Sequence, residues 1–255
     1  MISYPMLRSL LVAALLLPFL AAVARAQVII SASLTAPTQN LIATSEKSTP
    51  ADGTNALGVR WDTTTSSHRD VLQVFTTTAD ASLESFTFKL NNQATPAGLA
   101  NATFTISIYE VDSTSSFPGS TDTPLATYTG TWTLATGTAA LSYITFDFDG
   151  SISLTAGKSY AFSIGFNSSG AGRNFLISTN GGDNGFYSGG VAASATYAYD
   201  ATVAGTPGAW TTFSTDYVFY ANATAVPEPS TTAAWMAGMA IMFAGFRRSR
   251  SRRVG

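Results

Sequence analysis

The sequence predicts an all-β protein, a two-sheet antiparallel β-sandwich with jelly-roll-like connections, and three observations predict it. Side chains between residues 55 and 221 alternate apolar with polar at a period of two in several segments, the pattern of strands with one buried face. Turn-forming pairs separate those segments: Asn91-Asn92, Pro118-Gly119, Asp149-Gly150, Ala156-Gly157, Asn180-Gly181 and Pro207-Gly208. Nothing in the same stretch follows the 3.6-residue period of an amphipathic helix. Many short strands joined by tight turns pack as two layers. An immunoglobulin-like topology is the alternative, but the chain has no cysteine and hence no Cys–Trp pairing to support it. No segment recurs at a fixed spacing, which argues against a solenoid or propeller.

At the N-terminus, Arg8 precedes an apolar run from Ser9 to Ala24 that closes with Ala24-Arg25-Ala26. A basic start, a short apolar stretch and a small-x-small close make residues 1–26 a secretory signal, cut by signal peptidase before Gln27. An uncleaved membrane anchor is the competing reading, but the run is short for a span. Residues 27–54 are expected to be an extended lead-in, and residues 55–221 the sandwich.

Four strands are clearly patterned. Over residues 82–90, Phe86, Phe88 and Leu90 share a face, with Leu83 out of phase. Over 103–111, Phe104, Ile106 and Ile108 point one way and Thr105, Ser107 and Tyr109 the other. Over 143–148, Ile144, Phe146 and Phe148 oppose Thr145 and Asp147. Over 159–166, Tyr160, Phe162, Ile164 and Phe166 line one side. Weaker strands are expected at 56–61, 71–76, 125–133, 174–178 and 216–221.

All five methionines lie in the terminal segments, so the body between them carries no sulfur side chain. That suits an oxidising exterior and excludes disulfides and thiolate metal sites. Six basic residues stand against fourteen acidic ones from Gln27 to Ala225, a net charge near −8. An acidic body argues against nucleic acid as a partner.

Catalytic candidates are few. His68, the chain's single histidine, sits in "TTTSSHRD" beside Ser67 and Asp70. Neighbours in sequence rarely converge as a triad, and no G-x-S-x-G elbow is present, so His68 is expected in a surface loop. Asp147 and Asp149 fall on one strand face, where paired carboxylates suggest glycoside hydrolysis or, at the Asp149-Gly150 turn, calcium. The plainer expectation is solvated charge on an outer face. Asp183, with Asn180 and Asn184, offers oxygen ligands in the Gly-rich "STNGGDNGFYSGG", though a hairpin turn accounts for it equally. Asp147, Asp149 and Asp183 are thus weak metal candidates, and no cofactor is expected. Trp61, Trp132 and Trp210 would make a sugar-stacking platform if exposed, but at least two are expected in the core. Three N-x-S/T sequons, at Asn101, Asn167 and Asn222, also occur.

The C-terminus has three parts. Val226-Pro227-Glu228-Pro229, in a linker over residues 222–230, must be extended, because each proline disfavours helix in the residue before it. Residues 231–246 carry no charge and form a transmembrane helix about 24 Å long. That is short for a ~30 Å hydrocarbon core unless the flanking arginines snorkel. Arg247, Arg248, Arg250, Arg252 and Arg253 then hold residues 247–255 in the cytoplasm.

The triplet, apolar run and arginine cluster, in that order behind a signal peptide, resemble the PEP-CTERM sorting signal of Gram-negative bacteria. The resemblance implies recognition and removal of the tail by an exosortase, an integral-membrane cysteine protease-like enzyme. The chain would pass through an inner-membrane intermediate to the cell surface or extracellular matrix. The body from Asn55 to Ala221 also resembles the choice-of-anchor R type of β domain, on "VLQVFTTTADASLESFTFKL", "FTISIYEVD", "GSISLTAGKSYAFSIGF" and "AWTTFSTDYVFYA". No activity attaches to that likeness. The expected function is therefore a non-enzymatic surface or matrix protein, with extracellular polysaccharide as a candidate partner. The alternative is a secreted carbohydrate-binding module, possibly assisted by calcium.

Overall fold

In the order of the chain, thirteen strands form among the described residues: β1 (Ile29–Ser33), β2 (Leu41–Thr44), β3 (Ala56–Asp62), β4 (Ser67–Thr76), β5 (Ala81–Lys89), β6 (Thr103–Val111), β7 (Ala126–Thr131), β8 (Tyr143–Leu154), β9 (Ser159–Phe166), β10 (Asn174–Ser178), β11 (Ala192–Tyr197), β12 (Thr211–Thr212) and β13 (Phe219–Ala225). The computed structural model describes residues 28–45, 56–119, 121–180, 187–197, 210–213 and 215–226. The signal sequence with Ala24, Ala26 and Gln27, the segment Pro227–Pro229 and the apolar run with its arginines lie outside them. Among the described residues no helix is long and apolar enough to cross a membrane.

The strands make two antiparallel sheets. One has the order β1-β8-β5-β13-β2; the other runs β10-β3-β4-β9-β6-β7, with β11 and β12 attached through β4. Residues 29–33 and 41–44, within the expected lead-in, are strands of the first sheet, so the sandwich takes in chain ahead of residue 55.

The alternation explains the core. Ile30, Phe146, Phe86, Ala221 and Ala43 lie opposite one another across all five strands of the first sheet, and every one is buried. Phe104, Ile106, Ile108, Phe162, Ile164 and Phe166 do the same on β6 and β9 of the second. Rings join the layers: Phe86 stacks on Phe162 at 4.2 Å between centroids and meets Phe75 at 5.6 Å. Aromatic burial of this kind dominates the stability of a core.

Two local expectations need correction. Leu83 is not out of phase with the core; it is fully buried. The register with β13 shifts between Leu83 and Ser85, so Glu84 is an extra residue and the bulge returns Leu83 inward. Asp149-Gly150 does not end a strand. β8 runs on through it to Leu154, and the register with β5 steps from Ser85↔Asp147 to Leu83↔Ile152. Tyr109 turns away from Phe104 as expected, yet it is buried. With Leu72, Val74, Val111, Ala161 and Ala193 it forms a second apolar cluster, packed by Phe117, Val191 and Trp210.

The β3–β4 hairpin positions the residues of interest below. Asp62 accepts hydrogen bonds from the Thr64 amide at 2.9 Å, Thr65 Oγ1 at 3.1 Å and the Gly172 amide at 2.8 Å. These donors hold its carboxyl below the usual carboxylate range although burial opposes them. The hairpin is thereby tied to the loop before β10.

Candidate functional site

His68 is not a surface loop residue. The turn ends at Ser66, and His68 lies in β4, fully buried, opposite Trp61. The two rings stack at 4.1 Å with planes 5° apart. Its Nε2 lies 3.8 Å from Asp70 Oδ1, and burial pushes the imidazole below its usual value. An aromatic stack inside a sheet, not a nucleophile's base, is what this geometry supplies.

Asp147 lies between Ile29 of β1 and Ser85 of β5 and is half-buried. Burial raises its pKa, opposed by a hydrogen bond from the Ser31 side chain. Asp149 is on the same strand, but its side chain and all of Asp183 and Asn184 fall outside the described residues. Asn180 is buried and donates from Nδ2 to the Ser45 carbonyl at 2.7 Å, so it serves the fold. No group of three His, Cys, Asp or Glu suited to a metal occurs among the described residues. Trp61 and Trp132 are buried and Trp210 is half-buried against the second cluster. The three tryptophans therefore do not make an exposed platform. Of the tail motif, only Val226 is described. It is 52 % exposed, and its amide bonds the Asp80 carbonyl at 3.0 Å.

Two polar arrangements escaped the sequence reading. In the first, Asp216 is buried and accepts from Gln73 Nε2 at 3.2 Å and the Tyr187 amide at 3.0 Å. Gln73 Oε1 accepts from the Tyr217 amide at 3.2 Å. Burial pushes the Asp216 carboxyl up, against those hydrogen bonds. The visible signal was a glutamine breaking the apolar "VLQVF". The network fastens β4 to the segment entering β13, which is a structural task.

The second is a row of polar residues across four strands. Asn174 of β10 opposes Arg60 of β3, Arg60 opposes Arg69 of β4, and Arg69 opposes Thr196 of β11. Residues 68 and 69 pair with both β3 and β11, whereas 71–73 pair with β9 and β11. β3 and β9 must therefore share one edge of β4, which places the arginines where that edge changes partner. Directly opposite residues have Cβ atoms about 5 Å apart. Both arginines are half-buried, and each Nε is buried without a hydrogen-bond partner among the described residues. Burial, and then the charge of Arg60, lower the pKa of Arg69. The available signal was symmetry: Arg60 and Arg69 flank the turn of "VRWDTTTSSHRD" at equal distances.

No family model and no curated protein matches the chain. Among solved structures it is similar, at a TM-score of 0.35 and 12 % identity, to the cysteine protease and lectin-like domains of Cwp84, a surface layer associated protein of Clostridium difficile. The likeness covers 63 % of this chain and 33 % of that one, so the chain spans about a third of that protein's length. A superposition of that quality carries no argument about function.

Proposed function

We propose that the chain is an exported, non-enzymatic surface or matrix protein, delivered by removal of its C-terminal tail. The observation that carries this reading is the order of parts at the end: Pro-Glu-Pro, an uncharged run and five arginines, behind an N-terminal signal. Signal peptidase, an exosortase-type enzyme and the inner membrane are the partners it requires. The body would act at the cell surface or in the extracellular matrix of a Gram-negative bacterium. Two features of the body are consistent with it. The last strand ends at Ala225 and Val226 is exposed, so the triplet follows the folded part with no intervening domain. The strand orders β2-β13-β5-β8 and β4-β9-β6-β7 support a jelly-roll reading of the sandwich.

The test is Glu228→Ala in cells that contain an exosortase. The apolar run and arginines are untouched, so insertion should proceed while release stops, and membrane-bound precursor should accumulate on fractionation. Release like that of wild type would reduce the triplet to a spacer and remove the sorting claim.

A further inference from the structure

The arginine pair is the feature that the fold leaves unexplained. Five basic residues are described, and three have visible employment. Lys158 Nζ bonds Glu110 Oε1 at 2.9 Å, Lys89 lies over the Tyr143 ring at 5.3 Å, and Arg173 donates from Nη1 to Ser168 Oγ at 2.7 Å and from Nε to the Gly98 carbonyl at 3.3 Å. Arg60 and Arg69 have neither a carboxylate nor a carbonyl partner among the described residues, in a body with fourteen acidic residues. Like charges directly opposite on a sheet repel, and partial burial sharpens the repulsion.

Tyr217 lies within electrostatic reach of Arg69. Tyr217 is fully buried and its hydroxyl has no hydrogen-bond partner among the described residues; burial pushes the pKa of that hydroxyl up, and the charge of Arg69 opposes the rise. The geometry of the site is the arginine pair itself: two guanidinium forks, which carry donors and no acceptor, on directly opposed residues. An oxyanion between them would supply the acceptor that the pair lacks.

We propose that Arg60 and Arg69 form a binding site for the carboxylate of an acidic polysaccharide, a uronate unit held by both guanidiniums. The planar carboxylate matches the guanidinium fork edge to edge. A body with net charge near −8 disfavours densely charged phosphate polymers more than carboxylates spaced along a sugar chain. The polymer class rests on the extracellular setting proposed above, whereas the oxyanion site rests on the residues alone.

The experiment measures binding of an oligogalacturonate to the full chain by calorimetry. A neutral galactose oligomer, sulfate and phosphate are compared at matched ionic strength. Wild type should bind the uronate saturably and the neutral oligomer not at all. Arg60→Gln and Arg69→Gln should each weaken binding at least tenfold, while Lys158→Gln, which removes an exposed cation elsewhere, should leave it unchanged. Arg69→Lys keeps the charge and so protects against a folding artefact; it too should weaken binding, because one ammonium cannot reproduce the fork. Uronate binding that survives all three arginine variants would overturn the site. Saturable binding of sulfate or phosphate with none of uronate would overturn the carboxylate assignment. A response that never saturates would reduce the effect to screening and overturn both. Secretion is read by fractionation, so failure here leaves the sorting proposal standing, and the reverse also holds.

Discussion

Replacing His68 separates two accounts of the molecule. A surface-loop histidine is worth less than about 0.5 kcal/mol on truncation to alanine. The structure predicts much more, because His68 is fully buried and its ring lies 4.1 Å from Trp61 in a near-parallel stack. Truncating a buried ring leaves a cavity that costs roughly 2–5 kcal/mol, and losing a stacked pair costs about 0.5–1.5 kcal/mol that overlaps with it. His68→Ala should therefore destabilise by about 3 kcal/mol, a fall of roughly 9 °C in Tm for a chain of this size. Urea titration with an unchanged slope would report it cleanly. His68→Phe, which keeps a ring against Trp61, should recover part of the loss. The pH dependence gives a second check. Burial depresses the folded pKa of His68, so the unfolded chain binds the proton more readily. Stability from this group is present above the ordinary histidine value near 6.5 and is lost as pH falls through the folded value. The alanine variant should lack that part of the acid slope, which lies below about pH 6.5. A loss under 0.5 kcal/mol, or identical slopes, would refute the buried stack.

Two further substitutions test the hairpin and the sheet. Asp62→Asn removes a carboxylate that accepts from Thr64, Thr65 and Gly172. It should cost about 2 kcal/mol by chemical denaturation near neutral pH. The Asp62 pKa is lowered, so its contribution is present above the unfolded carboxylate value and fades as pH falls through the folded one. The gap between wild type and variant should narrow in acid. Gly130 lies opposite Phe104, and a Cβ there would come within 2.8 Å of Phe104 Cε2. Gly130→Ala should destabilise by at least about 1 kcal/mol, and Phe104→Leu in the same chain should relieve much of it; strictly additive effects would show that the ring and the glycine do not meet.

What was legible in the sequence follows from the length of the signal. β6 and β9 were visible because each carries at least three apolar residues in strict alternation, and nothing interrupts the ladder between them. β10 was visible at its full extent because Asn174–Ser178 is bounded by polar residues on both sides. Leu83 was misplaced because a bulge changes phase by one residue, and nothing in "SLESF" marks Glu84 as the extra one. Asp149-Gly150 has the composition of a turn, but composition cannot distinguish a chain reversal from an irregular pairing within a long strand. His68 follows six polar residues, Asp62 to Ser67, which read as loop; the ring that stacks on it lies across the hairpin. The arginine row was hidden for the same reason. Registers bring Asn174 to Arg60 and Arg69 to Thr196 across more than a hundred residues of sequence, beyond the reach of any local pattern.

The placement of β13 also has a mechanical consequence. Any pull on the chain beyond Val226 enters β13 along its own axis. That strand is clamped by β5 through seven residue pairs, from Phe219↔Phe88 to Ala225↔Ala81, and by β2 on its other side. Hydrogen bonds in an antiparallel ladder lie across the strands, so the load falls on them sideways and together rather than one at a time. A body anchored through its last strand would therefore yield late and all at once, while a pull of equal force on the edge strand β1, held on one side alone by β8, would free it far sooner.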